Sequence, residues 1–293
     1  MDLSSEFNNK NTVLVVVAYN RPKYLKRVLE SLENCVGVEM YDVYFSVDPG
    51  NKEVLRLAWG FDASRSRTVT RNEVRLGAHE NKKRALDRGF QVADFVIMIE
   101  DDTILSPDTL QFFEYARDRY EFDDNVFTIS AYGDNCRNDN TETVPSKYYH
   151  TIARRHHYTP WVWGTWKDRW VSDIKDQWNG WDVQMNFRTP PYEDMVSGRN
   201  KDGPDFSRFD AGIRRDRVEV FPVLSRSNNI GDENGMHNDY GISNFLYQDA
   251  TELNVLSTTT AIFTENFDRD SVRELCNHVP FGSDTLRSMC RRD

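Results

Sequence analysis

Three consecutive acidic residues follow a strongly apolar stretch of the sequence. Residues 95–99 are all apolar, and Glu100, Asp101 and Asp102 come directly after them. Such a run predicts a short strand that is buried on both faces, and open α/β sheets bind ligands at the carboxyl ends of their strands. Adjacent carboxylates repel one another, and a hard divalent cation such as Mg²⁺ or Mn²⁺ relieves that repulsion. The alternative is an exposed acidic turn in front of a helix that is capped by Ser106.

Two earlier apolar runs also end in polar residues. Residues 12–18 predict a first strand, which is followed by Asn20 and Arg21, and residues 41–47 predict a second strand, which ends at Asp48. Because the carboxyl ends of parallel strands meet at one edge of a sheet, we expect these side chains to lie near the acids. The loop after the first strand has no glycine-rich phosphate motif, which argues against a dinucleotide-binding site.

The predicted elements alternate in the manner of an α/β domain. Apolar spacing predicts a helix that follows Pro22, and further helices and strands are expected at residues 52–60, 66–70, 80–90, 110–116, 126–132, 166–178, 181–187 and 218–225. A βαβαβ order implies a parallel sheet with helices on both faces. From about residue 148 the segments become short and rich in aromatic residues.

The composition restricts the classes of protein that the chain can represent. Its 293 residues suit one large α/β domain or two small ones. Its net charge of −10 argues mildly against binding to nucleic acid by bulk electrostatics. The four cysteines are scattered, which predicts neither a zinc site nor a disulfide framework. No signal peptide and no apolar run of membrane-spanning length is evident in the sequence, so we expect a cytoplasmic protein.

Taken in chain order, these features resemble the GT-A nucleotide-sugar glycosyltransferases. The narrower resemblance is to the inverting N-acetylglucosaminyltransferase I and protein O-mannose N-acetylglucosaminyltransferase group. The matching segments are residues 15–22, Ser46–Asp48, Arg75–Asn81, Ile99–Asp102 with Ser106–Asp108, Trp163–Trp166, Trp181-Asp182, and Ser227–Gly231 with His237. The resemblance implies an α/β GT-A fold, with a mostly parallel, Rossmann-like central sheet flanked by helices and an irregular C-terminal acceptor-side half.

The same resemblance implies one GT-A domain over residues 1–293. Residues 11–135 would form its nucleotide-sugar-binding half, and residues 136–250 its acceptor and catalytic half. Residues 251–293 would form a C-terminal extension.

The resemblance also implies roles for individual residues. Asp102 ends the segment that matches the D-x-D motif and would bind Mn²⁺ or Mg²⁺, and His237 would contact the metal or the diphosphate. Asp182 would be the catalytic base, with Glu193 and Asp194 as alternatives. The predicted contacts to the nucleotide are Ala18, Asn20, Arg21, Asp48 at the base or ribose, His79 at the uracil, Glu100, and Asp101 near the sugar and ribose.

The predicted function is a metal-dependent, inverting transfer of a sugar from a UDP-sugar to an acceptor hydroxyl. The acceptor would be a glycan first of all, or else a protein or a hydroxylated DNA base. A divalent cation would stabilise the charge on the leaving diphosphate, and a carboxylate would deprotonate the acceptor. The alternatives are a nucleotidyltransferase or phosphohydrolase on a similar sheet, and a non-catalytic sugar-binding module. The lack of an anchor predicts the cytoplasm of a bacterium, or of the host of a phage or virus.

Some of these residues also have simpler structural interpretations. Asp48 could be only a turn residue, since aspartate favours turns. The basic residues 82–84 are interpreted as an exposed helix face. The tryptophans between residues 161 and 166 are expected in the core, with Trp163 as the candidate exception that contacts sugar, and residues 156–157, both histidines, as structural or acceptor-facing.

Overall fold

The computed structural model describes residues 11–133, 150–155, 159, 161–178, 217–231 and 264–265. The strands are β1 (Thr12–Ala18), β2 (Asp42–Val47), β3 (Ser66–Arg71), β4 (Phe95–Glu100), β5 (Thr103–Leu105), β6 (Val126–Ser130), β7 (Thr151–Arg155), β8 (Trp163–Trp166), β9 (Val218–Pro222), β10 (Ser227–Asn229) and β11 (Thr264–Glu265). The helices are α1 (Pro22–Glu33), α2 (Lys52–Gly60), α3 (Ala78–Gly89), α4 (Thr109–Tyr120) and α5 (Lys167–Arg169). Across these ranges, no helix has both the length and the apolar character needed to span a membrane.

Nine of the strands form one mixed sheet in the order β11-β7-β9-β6-β8-β4-β1-β2-β3. The strands β1 to β4 are parallel, whereas β8 runs antiparallel to both β4 and β6. The chain proceeds in one direction from β1 to β3 and then crosses over to place β4 on the other side of β1. The topological switch point, where open α/β sheets bind ligands, therefore lies between β1 and β4.

Both faces of the central strands are buried, as their continuous apolar runs predict. Leu14 and Val16 of β1 belong to a layer that includes the apolar faces of α1, α2 and α4. Val13 and Val15 of β1 belong to the opposite layer, which includes α3 and the segment Trp170–Trp178. This double burial fixes the directions of β1 and β4, and so fixes where the polar residues at their ends lie.

The chain forms a short strand, β5, directly after the acids. It pairs antiparallel with β10, so that Asn229 lies opposite Thr103. The helix α4 begins only at Thr109, and the hydroxyl of Ser106 donates a hydrogen bond to Asp108 at 2.7 Å. The prediction that Ser106 caps the helix is therefore wrong, because the N-cap residue is Asp108.

The tryptophan-rich segment belongs to the core. Trp163 is 1% exposed, and its ring stacks on that of Trp178 with 6.3 Å between the ring centroids. The prediction that Trp163 contacts sugar is wrong, because its side chain is buried in the layer that contains α3 and the segment Trp170–Trp178. The helix predicted over residues 166–178 consists of α5, a π-helical turn (Trp170–Ile174) and a 3₁₀ turn (Lys175–Gln177). The helix predicted at residues 181–187 and the two histidines at 156–157 lie outside the described residues.

Candidate functional site

Arg21 joins the ends of β1 and β4. Its guanidinium donates a hydrogen bond to Asp101 Oδ1, and its second terminal nitrogen lies 2.7 Å from Asp102 Oδ2. The backbone N–H of Tyr19 also donates to Asp101, at 3.2 Å. Both carboxylates are buried. The structure thus brings together residues that lie 80 positions apart in the sequence, at the switch point of the sheet.

Burial and neighbouring charges change the pKa values of this cluster. Burial raises the pKa of Asp101 to about 6, although Arg21 opposes the rise. Burial also raises the pKa of Glu100, and the ammonium of Lys82 opposes it. Burial disfavours the charged form of Arg21, but Asp102 and Asp101 outweigh that effect and raise its pKa. The crevice therefore holds a permanently charged guanidinium beside carboxylates whose ionised form any further positive charge would favour.

Glu100 is bound to α3 and does not contact Arg21 directly in this arrangement. The Nζ atom of Lys82 lies 2.8 Å from Glu100 Oε1, and the Lys82 side chain is only 5% exposed. Glu100 follows Val96 and Met98 at alternate positions along β4, and both of these pack in the layer that contains α3. The interpretation of residues 82–84 as an exposed helix face is therefore wrong for Lys82. The predicted contact of Glu100 with the nucleotide stays a prediction.

Removal of the Lys82 ammonium should destabilise the fold. We expect Lys82→Met to lower the free energy of unfolding by about 3 kcal/mol, the lower end of the range for buried pairs, because the Glu100 side chain is 18% exposed and would lose this cation. Urea unfolding followed by circular dichroism measures the change. The double variant Lys82→Met/Glu100→Gln should recover much of the loss, and Lys83→Met, at the half-buried next position, is the matched control. A loss as small as that of Lys83→Met would contradict a structural ion pair.

Asp48 organises the loop that precedes α3. Its carboxylate accepts hydrogen bonds from Asn72 Nδ2 at 2.8 Å and from the backbone N–H groups of Leu76 and Gly77 at 3.1 and 2.9 Å. Asp48 is also 2% exposed. It is therefore more than a turn residue, because it fixes the conformation of residues 72–77 at the edge of the crevice.

Tyr19 and Arg75 form a wall of the same crevice. The Arg75 guanidinium lies 4.4 Å from the centroid of the Tyr19 ring, which is the geometry of a cation–π contact. A Cβ atom at Gly50 would lie 2.7 Å from Tyr19 Cε2, so only glycine leaves room for the ring there. Neither Tyr19 nor Arg75 is among the predicted site residues, although an aromatic residue directly after a buried strand was a usable signal.

Asp102 is the described residue best suited to hold a divalent cation. Its Oδ2 contacts Arg21, whereas its buried Oδ1 has no hydrogen-bond partner among the described residues. No group of three or more His, Cys, Asp or Glu side chains in that part of the chain forms a complete metal cage. Magnesium sites at bound phosphates use one or two carboxylates and the phosphate oxygens, and Mn²⁺ shares the preference for oxygen. The described residues therefore fit a divalent cation for which Asp102 would be a carboxylate ligand.

Residues 10–162 match the family described as "Glycosyltransferase like family 2". The matched range is 153 of the 293 residues, more than half of the chain, and it contains β1, α1, β4 and the whole Arg21 cluster. The chain belongs to this glycosyltransferase family. The predicted identification as a GT-A fold glycosyltransferase is confirmed, and its narrower assignment to the N-acetylglucosaminyltransferase I group stays a prediction.

Several solved structures are similar to this chain at low sequence identity. Residues 1–349 of S. aureus TarS in complex with UDP-GlcNAc align with a TM-score of 0.50 and 12% identity, over 92% of this chain and 72% of that chain. The same TarS fragment in complex with UDP aligns with a TM-score of 0.43 and 15% identity, over 60% of this chain and 54% of that chain. A third structure is the mannosyltransferase PcManGT from Pyrobaculum calidifontis in complex with GDP-Man and Mn²⁺. It aligns with a TM-score of 0.46 and 13% identity, over 79% of this chain and 60% of that chain.

The chain covers less than two thirds of the length of the TarS structure with UDP and of the mannosyltransferase. At such low identity the likeness to the first TarS structure concerns the fold. It confirms the predicted α/β architecture with a central sheet flanked by helices.

The other predicted site residues of this family member lie as follows. Ala18 is the buried last residue of β1, and Asn20 is exposed beside Arg21. His79 lies in the first turn of α3, and its carbonyl accepts a hydrogen bond from Trp178 Nε1 at 3.0 Å. The structure does not describe Asp182, Glu193, Asp194 or His237, so the base and the second metal contact stay predictions.

Proposed function

We propose that this chain transfers a sugar from a UDP-sugar to an acceptor hydroxyl with inversion, assisted by Mn²⁺ or Mg²⁺ at Asp102. Membership of the glycosyltransferase family supports sugar transfer as the reaction. One observation supports the site above all others: a buried carboxylate oxygen of Asp102, without a described hydrogen-bond partner, lies beside Arg21 at the switch point of the sheet. A nucleoside diphosphate beside these carboxylates would need a divalent cation in addition to Arg21.

We assign different parts of the nucleotide-sugar donor to different side chains of the crevice. Arg21 holds Asp101 and Asp102 in place, and its planar fork of N–H donors also suits phosphate oxygens. The cation, when bound, would supply electrostatic stabilisation of the departing diphosphate. Asp48 holds the loop of Arg75 against Tyr19, and this wall is the part of the crevice that we assign to the base and ribose.

The acceptor is proposed from the sequence. A glycan hydroxyl is our first choice, with a protein hydroxyl second and a hydroxylated DNA base third, because the net charge of −10 opposes the approach of a polyanion. The single-domain organisation with halves at residues 11–135 and 136–250, the cytoplasmic location and the bacterial or phage origin also stay predictions.

The proposal is tested by measuring donor binding and the released product. Isothermal titration with UDP-GlcNAc, which TarS binds, and with other UDP-sugars should show binding that requires Mn²⁺ or Mg²⁺ and is lost with EDTA. Turnover on a panel of glycan acceptors should release UDP. Release of pyrophosphate would indicate a nucleotidyltransferase, and metal-dependent binding without turnover would indicate a non-catalytic module.

The predicted base has a distinct kinetic signature. We expect Asp182→Asn to lower the transfer rate by at least about 100-fold, because a general base acts on the acceptor proton in the transition state. Donor affinity should stay at the wild-type value in titrations. Asp176→Asn, at an exposed position shortly before it, is the matched control. Normal transfer by Asp182→Asn would show that Asp182 is not the base. The alternatives would then be tested with Glu193→Gln and Asp194→Asn.

A further inference from the structure

Asp102 packs against the end of β10. The backbone N–H of Ile230 donates a hydrogen bond to the Asp102 carbonyl at 2.7 Å, which continues the pairing between β10 and β5. The next residue, Gly231, lies directly against the Asp102 carboxylate. A Cβ atom at Gly231 would lie 2.3 Å from Asp102 Oδ2 and 3.0 Å from its Cγ, and real Cβ atoms essentially never approach so closely.

The backbone conformation at Gly231 does not itself require glycine. The described glycines with positive φ are Gly37 and Gly77, and Gly231 is outside this group. An alanine could adopt the same φ, so proximity to Asp102 is the feature that excludes a side chain. The Asn229 side chain accepts a hydrogen bond from the Gly231 N–H at 2.8 Å, which holds this backbone against the carboxylate.

The Asp102 carboxylate can move away from position 231 only by losing its contact with Arg21. Its Oδ2 is 2.7 Å from the Arg21 guanidinium, and its own carbonyl is bound by Ile230. A methyl group at position 231 would force the carboxylate to rotate away and to give up the contact with Arg21. The same rotation would redirect Oδ1, the buried oxygen without a hydrogen-bond partner among the described residues.

We propose that Gly231 is a positioning residue for Asp102. Its lack of a side chain lets the carboxylate lie between Arg21 and β10, with Oδ1 left available for a divalent cation. This inference rests on the proposed function, because it assigns Gly231 to the metal carboxylate of that site. It predicts that metal affinity, and not only stability, depends on the absence of one methyl group.

The first test is a metal-free double-mutant cycle. Gly231→Ala should lower the melting temperature in EDTA, and most of that loss should disappear in the Asp102→Ala background, where the contact is removed. Gly60→Ala is the matched control, because a Cβ atom at Gly60 would meet nothing within 4 Å. If Gly231→Ala alone does not fold, a folded Gly231→Ala/Asp102→Ala protein supports the contact. Equal losses in the two backgrounds would overturn it.

The second test is binding of Mn²⁺ in the presence of UDP, followed by electron paramagnetic resonance. Gly231→Ala should bind Mn²⁺ at least about 10-fold more weakly than wild type, as is typical when the support of a metal ligand is disturbed. Gly60→Ala should match wild type. A folded Gly231→Ala protein with wild-type affinity overturns the inference while the proposed function stands. A wild-type protein that binds no Mn²⁺ overturns the proposed function, whatever the cycle shows about the contact.

Discussion

An Asp102→Asn variant should lose sugar transfer by at least about 100-fold in kcat/KM while it remains folded, since loss of one electrostatic group at a departing anion has that scale. Asparagine keeps the shape of the side chain and an oxygen that can accept from Arg21. It removes the negative charge that strengthens the binding of a divalent cation to this oxygen. We therefore expect the effect to appear in Mn²⁺-dependent turnover and in Mn²⁺ affinity, with little change in the melting temperature of the metal-free protein.

The control for this variant lies at the other end of the same strand. Asp94→Asn removes an exposed carboxylate just before β4 and should leave turnover at the wild-type level. Initial rates of UDP release, measured over a range of Mn²⁺ concentrations, separate a loss of metal affinity from a loss of the chemical step. Full activity of Asp102→Asn at low Mn²⁺ would refute the assignment of the metal to this residue.

The part of the fold that the sequence predicted is the part built from local signals. The runs at residues 12–18 and 95–99 are apolar on both faces, and such runs form the central strands of a parallel sheet. Once β1 and β4 are neighbours, Arg21 and the acids at their ends must meet. The strand pattern therefore predicted that these side chains lie at one edge of the sheet, whereas the pairing of β1 with β4 is seen in the structure.

Contacts between distant parts of the chain could not be predicted in this way. Gly231 approaches Asp102 only because β10 returns to pair with β5, and no local pattern indicates that pairing. The antiparallel insertion of β8 beside β4 was missed for the same reason.

Lys82 is a different case. It precedes Ala85, Leu86 and Gly89 by three, four and seven positions, the spacing of one buried helix face, so its burial could have been predicted.

A buried ion pair between Arg226 and Asp108 should be among the largest single contributions to holding this site together. The two side chains are 0% and 1% exposed, and Arg226 Nε lies 3.1 Å from Asp108 Oδ2. The guanidinium also donates to the Leu224 carbonyl at 2.6 Å. Burial lowers the pKa of Arg226, and Asp108 opposes that change. The backbone carbonyl of Arg226 accepts from the N–H of Ser106 at 2.8 Å, so the pair joins the approach to α4 to the segment that leads into β10.

We expect Arg226→Met to lower the free energy of unfolding by about 3–5 kcal/mol, because Asp108 would keep a buried charge without its cation. The double variant Arg226→Met/Asp108→Asn should be more stable than Arg226→Met, since it removes both charges. Arg56→Met is the control. It breaks an exposed pair with Glu53, whose oxygen lies 2.6 Å away, and solvent screening makes such surface pairs weak.

The same variant connects stability to the site. Arg226 directly precedes β10, and β10 carries Ile230 and Gly231 to Asp102. A loosened β10 should therefore weaken Mn²⁺ binding in the presence of UDP, even at temperatures where Arg226→Met is still folded. Urea unfolding and Mn²⁺ titration of the same samples measure both effects. A strongly destabilised Arg226→Met protein with wild-type Mn²⁺ affinity would show that Arg21 and the central sheet hold Asp102 without help from β10.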